Sequence, residues 1–116
     1  MKVMDLNEAD SMASAATGCV IVLEPGAKWP EQAFATVEDR DGVAVVHEAP
    51  GESAEHFFTR LARQFAHVAA NGALVRTVLI ACAVSGAVRP IDRNQLAAHV
   101  QNHALFAPNG SVIFVD

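Results

Sequence analysis

The sequence predicts an α/β domain built on a small, open and mostly parallel β-sheet. Short apolar runs rich in β-branched residues alternate with segments of helical periodicity, and the connections between them are short. The 116 residues suffice for one domain and not for two independent cores. With 52% hydrophobic and 18% charged residues, the chain can bury enough apolar surface to offset the entropy lost on folding.

The first predicted strand lies within residues 18–24, where the run Cys-Val-Ile-Val-Leu is apolar on both alternating sets. Such a run is typical of a strand that is covered on both faces. Residues 1–17 mix acidic and small side chains with neither a helical nor a strand period, so we interpret them as an N-terminal arm or a poorly ordered segment. A single α/β domain is therefore expected over residues 18–116.

Residues 28–42 admit two interpretations. As a short helix they would have Pro30 near the first turn, which suits the fixed backbone angle of proline. As a strand, residues 33–38 would pair with residues 43–47 across a hairpin loop at 39–42. We favour the helix, and in both interpretations residues 43–47 form a strand.

The segment over residues 53–71 has the clearest periodicity in the chain and predicts an amphipathic helix. Ser53 is the predicted N-cap, and Asn71-Gly72 is the predicted left-handed stop. The residues of its apolar face recur at three- and four-residue steps: Ala54, Phe57, Phe58, Leu61, Ala62, Phe65, Ala66 and Ala69.

The last third of the chain predicts a strand, a helix and a strand. Residues 75–84 are expected to form a central strand, and Asp92 is expected to cap a helix that ends near Ala107. A turn at 108–110 then leads into a strand over residues 111–115. The sheet thus has four strands, or five with the hairpin, and helices cover its faces in the layering of Rossmann-like and flavodoxin-like folds.

Polar residues follow the predicted strands at the edge where ligands bind in open parallel sheets. A carboxylate, an imidazole, a hydroxyl and a guanidinium on one edge would suit a small polar ligand, and the guanidinium favours an anionic one. The alternative is that loops carry such residues in any fold because loops are solvated. The residues predicted to bind the ligand are Glu24, Gly26, His47, Ser85, Gly86 and Arg89.

The sequence lacks the motifs of cofactor, metal and catalytic sites. Neither GxGxxG nor GxxxxGK[ST] occurs, so no nucleotide or other cofactor is predicted. His99 and His103 have the i,i+4 spacing of two ligands, but a zinc site needs a third, and no metal is predicted. Cys19 and Cys82 lie in apolar runs and are interpreted as buried, unreactive side chains. No catalytic residue is assigned.

Charge and hydropathy exclude two classes of partner. A net charge of −5 argues against nucleic acid, whose binding depends on phosphate neutralisation. No apolar run approaches the length of a membrane span, and no signal-peptide pattern is present, so the expected location is the cytoplasm.

We expect Arg60 and Arg63 to pair with acidic residues such as Glu52 and Glu55.

These features favour a non-catalytic regulatory or interaction domain that binds a small anionic molecule. A homodimer is expected because a few alanine-rich helices cover a thin sheet incompletely, and Trp29 is the predicted anchor of the dimer interface. One alternative is a small enzyme in which Glu24, His47 and Ser85 perform acid-base chemistry and Arg89 orients an anionic substrate. Another alternative is a structural subunit of a larger complex.

Overall fold

A computed structural model of the chain describes residues 2–4, 8, 17–24, 43–49, 51–70, 72–81 and 91–115. These residues include five strands and two helices. In chain order they are β1 (Lys2–Met4), β2 (Cys19–Leu23), β3 (Val43–His47), α1 (Ala54–Val68), β4 (Val75–Ala81), α2 (Arg93–Gln101) and β5 (Phe106–Val115).

The strands form one open sheet in the order β1-β5-β4-β2-β3, and every pairing is parallel. The predicted α/β class with an open parallel sheet is confirmed. The fifth strand is β1, which lies in the segment interpreted as an arm; the pattern of three residues is too short to predict a strand. Residues 33–38 lie outside the described residues, so the choice between helix and hairpin stays a prediction. Trp29 also lies outside them, so its role at a dimer interface stays a prediction as well.

The strand order contains a topological switch point between β2 and β4. From β2 the chain moves to β3 on one side, and then returns past β2 to β4 and onward to β5. At such a point the connections leave the sheet in opposite directions, which opens a crevice at the carboxyl ends of the two strands. This edge of the sheet, where β2, β3 and β4 end, is called the carboxyl edge below.

Helix α1 forms where the sequence predicts it. The Ser53 Oγ accepts a hydrogen bond from the His56 amide at 3.2 Å and so caps the first turn. Gly72 takes a positive φ of 82° just beyond the helix, as the predicted left-handed stop requires. The buried face of α1 consists of Phe57, Leu61, Phe65 and Val68.

Both described helices pack on the same face of the sheet. The steps from β3 to β4 and from β4 to β5 run in one direction across the sheet, and right-handed crossovers then place both helices on one side. The core between the helices and the sheet includes Val20, Val22, Ala44, Val46, Phe57, Leu61, Phe65, Val78, Ile80, Ile91, Leu96, Val100 and Phe114.

The end of α2 and the start of β5 differ from the prediction. The helix ends at Gln101 and not near Ala107, and Ala107 belongs to β5. The Val75 amide donates to the Leu105 carbonyl at 2.8 Å, so pairing with β4 draws this segment into the sheet before a helix can include it. Residues 108–110, predicted as a turn, lie in an irregularity inside β5 where the register with β4 shifts.

Gly110 permits this irregularity because the Phe106 ring folds over it. A Cβ at position 110 would lie only 2.5 Å from the Phe106 ring, so no larger residue fits without displacing the ring.

Among the described residues, no helix is both long and apolar enough to span a bilayer.

Candidate functional site

An ion pair between Glu24 and Arg93 occupies the switch point. Glu24 follows β2, and its amide donates to the Ala81 carbonyl at the end of β4 at 3.0 Å. Its side chain is only 1% exposed, and the Arg93 Nε donates to its Oε1 at 2.9 Å. Arg93 is the first residue of α2, and 46% of its side chain is exposed. The pair therefore links a buried carboxylate at the switch point to a half-exposed guanidinium.

The capping residue of α2 determines where Arg93 lies. The Asp92 Oδ1 accepts hydrogen bonds from the Asn94 and Gln95 amides at 2.7 and 3.3 Å, which starts the helix at residue 93. Ile91, just before the cap, is fully buried in the core. The cap of Asp92 and the burial of Ile91 therefore fix the position of the helix start from which Arg93 reaches Glu24.

Glu48 provides a second buried carboxyl group on the neighbouring strand. Its amide donates to the Leu23 carbonyl at 2.9 Å, and the residue is only 3% exposed. The register pairs Leu23 with His47, so the next residues, Glu24 and Glu48, lie level with each other. Strand alternation turns both toward the face that carries the helices. Two carboxyl groups therefore lie at the carboxyl edge, on the face of the sheet that carries the helices.

A charged cluster joins β3 to α1 beside this edge. The Arg60 guanidinium donates to both carboxylate oxygens of Glu52, at 2.8 and 2.6 Å, and to the His47 carbonyl at 2.6 Å. The His56 Nδ1 lies 2.7 Å from the Glu52 Oε2. The hydrogen bond from Arg60 holds the pKa of Glu52 below its usual value, and the same bond raises the pKa of Arg60. This cluster fixes the entry into α1.

The expected arginine pairing is therefore present for Arg60 with Glu52. In the part of the chain that the structure describes, Arg63 forms no such ion pair. The two arginines lie three residues apart on α1, but only Arg60 faces the carboxyl edge.

Two of the six residues predicted to bind a ligand lie in the described part of the chain. Glu24 and His47 are at the same edge of the sheet, as expected. The register puts the His47 side chain level with Leu23, and alternation turns it to the face opposite to the Glu24 side chain. Gly26, Ser85, Gly86 and Arg89 lie outside the described residues, so their binding role stays a prediction.

The histidine pair is built for packing and hydrogen bonding. The His99 ring stacks on Phe58 at a centroid distance of 4.0 Å, and the His103 ring packs on Phe65 at 4.7 Å. Burial lowers the pKa of both imidazoles, and the proximity of His103 lowers that of His99 further. In the described ranges, no cluster of three potential metal ligands occurs.

The buried cysteine was interpreted correctly. Cys19 is fully buried in β2, and burial raises the pKa of its thiol to about 12, so it does not ionise near neutral pH. Cys82 lies outside the described residues.

Arg93 and Glu48 are not among the six residues predicted to bind the ligand. Arg93 could have been found from its place directly after a capping aspartate, because a first-turn side chain in this fold points toward the strand ends. Glu48 directly follows a predicted strand, as Glu24 does, and this shared position was a usable signal. No protein-family model, no curated protein and no solved structure matches the chain.

Proposed function

We propose that this chain is a non-catalytic regulatory module of the cytoplasm that binds a small organic acid at its carboxyl edge. The observation that carries the proposal is the ion pair between buried Glu24 and half-exposed Arg93 at the switch point. Ligands of open parallel sheets gather at this position in the fold. The pair supplies a guanidinium that is accessible from solvent and hydrogen-bonded to Glu24.

The charges at the edge narrow the chemical class of the ligand. Arg93 suits a carboxylate or phosphate group because its planar fork makes paired hydrogen bonds. Glu24 and Glu48 add carboxyl groups beside it, and these accept hydrogen bonds from hydroxyl or amino groups. A bare anion would meet repulsion from both carboxylates. The ligand that fits best is a small acid that also carries a hydroxyl or an amino group.

A homodimer is part of the proposal. In the described sheet β3 is an edge strand, and its Val45 is only partly buried. A second copy of the chain can cover an edge strand across a two-fold axis. Sedimentation velocity should therefore give the mass of a dimer, and a monomer at high micromolar concentration would contradict this part.

Thermal unfolding with matched ligands tests the binding site. L-Lactate and L-serine should raise the Tm, because a ligand that binds only the native state stabilises it. Acetate and ethanolamine each present only one of the two required groups and should raise it less. Equal shifts with acetate and lactate would show that only the anionic group matters and would contradict the assigned ligand class.

Two variants connect the result to the site. Arg93→Gln removes the guanidinium and should abolish the shift produced by lactate and serine. Arg76→Gln removes an exposed arginine from the opposite end of β4 and should leave the shift unchanged. If Arg93→Gln retained the full shift, the carboxyl edge would not be the binding site.

A further inference from the structure

A groove between the two helices forms a second surface with the features of a binding site, and neither Glu24 nor Arg93 lines it. Its volume is about 820 Å³, which lies within the range of small-molecule sites. Its floor is apolar and consists mainly of Phe58, Ala62 and Ala66 of α1, with the stacked His99 ring of α2. Along α1 the groove extends from residue 54 to residue 66, about 18 Å of helix axis.

The charged groups of this groove are separated along its length. Glu55 lies at the start of α1, where the groove is also lined by Gln95. Arg63 lies two turns further along, on the side of Ala66 and His103. Since Arg63 pairs with no carboxylate in the described ranges, an anion at this end would not have to displace an existing ion pair.

His103 adds a hydrogen-bond donor at the same end. Its Nδ1 accepts a hydrogen bond from the Leu105 amide at 3.1 Å, so in the neutral ring the proton resides on Nε2. A ring in this tautomer offers an N–H to a ligand and offers no lone pair to a metal. The histidine therefore suits an anionic group in the groove, and this second donor lies beside Arg63 in the groove lining.

We propose that the groove between α1 and α2 binds an amphipathic carboxylate, with its apolar chain on Phe58, Ala62 and Ala66 and its carboxylate beside Arg63 and His103. Glu55 at the far end repels the carboxylate and thereby sets the direction in which the ligand lies. The apolar floor contributes in proportion to the apolar area removed from water. This inference is independent of the proposed function, because its residues are different ones.

Calorimetric titration with three eight-carbon probes tests the chemistry. Octanoate should bind, whereas 1-octanol and octylammonium, which lack the negative charge, should bind at least about tenfold more weakly, as loss of one charge-assisted hydrogen bond requires. Equal affinity for octanoate and 1-octanol would overturn the proposal, because an apolar surface alone would then account for binding.

Substitutions in the groove locate the site. Arg63→Gln should weaken octanoate binding by about tenfold, and Arg63→Lys should restore part of it. The control Arg76→Gln should have no effect. Ala66→Trp should fill the groove and abolish binding, whereas Ala70→Trp, on an exposed residue outside the groove, should not. Unchanged affinity in Arg63→Gln would contradict the proposal even if Ala66→Trp failed to fold.

Two further outcomes separate this groove from other occupants and from the carboxyl edge. Arg93→Gln should leave octanoate binding intact, whatever it does to lactate binding, so the two proposals can fail separately. If the groove is instead covered by a second copy of the chain, Ala66→Trp will change the sedimentation coefficient and octanoate will dissociate the assembly. That outcome would overturn the assignment of a small carboxylate as the occupant.

Discussion

The carboxyl edge and the helix groove lie on the same face of the sheet but use charge in opposite ways. At the edge, Glu24 and Glu52 are almost completely covered, and an arginine is bonded to each. In the groove, the surface is mostly apolar, and Arg63 lies at its rim without such a partner among the described residues. A ligand at the edge must share groups that already hold the fold, whereas a ligand in the groove only adds contacts.

The same contrast occurs within one helix. Arg60 and Arg63 belong to α1, and a helix turns by about 100° per residue, so the two side chains are offset by only about 60° around the helix axis. Arg60 reaches Glu52 and the His47 carbonyl, and its guanidinium lies 5.7 Å from the Phe57 ring centre. Residue type alone therefore does not reveal whether an arginine is structural or available to a ligand.

The largest expected effect comes from the two buried phenylalanines beneath the two regions. Phe57→Ala and Phe65→Ala should each lower the free energy of unfolding by about 3–5 kcal/mol, because both rings are fully buried and leave a cavity. Urea midpoints measure the loss. Phe65→Ala should also move the pKa of His103 toward its ordinary value, because the ring that covers the imidazole is gone, and Phe57→Ala should not. An equal change in the pKa of His103 in both variants would show that the two regions are not distinct.

The next effect concerns the ion pair at the switch point. Arg93→Ala should cost about 1.5–3 kcal/mol, because it removes the hydrogen bonds that compensate a buried carboxylate. The double variant Glu24→Gln/Arg93→Ala should recover part of that loss, since a neutral amide is less costly to bury than a carboxylate that has lost its arginine. Equilibrium unfolding of the unsubstituted protein, the two single variants Glu24→Gln and Arg93→Ala, and the double variant gives the coupling energy. Additive losses would mean that the pair contributes little to the edge.

The two arginines of α1 give a smaller and more direct comparison. Arg60→Ala should cost about 1.5 kcal/mol, because three short hydrogen bonds, two of them to a carboxylate, are lost. Arg63→Ala should change stability by less than about 0.5 kcal/mol, as is usual for an exposed residue. Thermal unfolding of the two variants side by side measures the difference. Equal losses would show that Arg63 also stabilises the fold.

The groove and the charged cluster at Glu52 should lose stability in different pH ranges. His99 and His103 have a pKa below the ordinary 6.5, so the unfolded chain takes up protons first, and stability declines as the pH falls through 6.5. Glu52 has a pKa below the ordinary 4.5, so the unfolded chain again protonates first, and a second decline begins below that pH.

Urea midpoints measured between pH 8 and pH 3 test both windows. His99→Gln/His103→Gln should flatten the decline that starts near pH 6.5, and Glu52→Gln should flatten only the one below about pH 4.5. A decline near pH 6.5 that survives in the double histidine variant would show that the groove does not control it.

The sequence predicted the fold where a pattern is long enough to have a period. The helix from Ala54 and the four longer strands follow from such patterns, whereas the three residues of β1 do not suffice for one. The run Leu105-Phe106-Ala107 is compatible with either a helix or a strand, and the pairing with β4 decides for the strand. That pairing is a tertiary contact, which local propensity does not contain.

The candidate sites were predictable only in part for a related reason. Glu24 was recognised because it directly follows a strand, but its partner Arg93 is 69 positions away in the sequence. The spacing of His99 and His103 was noticed, and it indicated two imidazoles on one helix side. Helix α2 ends at Gln101, however, and the rings pack on Phe58 and Phe65 of the other helix. Residues brought together by docking of two helices leave no local pattern.

The position of β1 in the sheet has a consequence for biosynthesis. Lys2–Met4 pairs only with β5 in the described sheet, in register with residues 113–115. These three residues leave the ribosome long before their partner strand is translated, so β1 cannot dock until β5 has also been made. Closing so long a stretch of chain also carries an entropic cost that slows assembly. The sheet must therefore be completed at this edge after translation of β5, when its nascent partner strand is finally available.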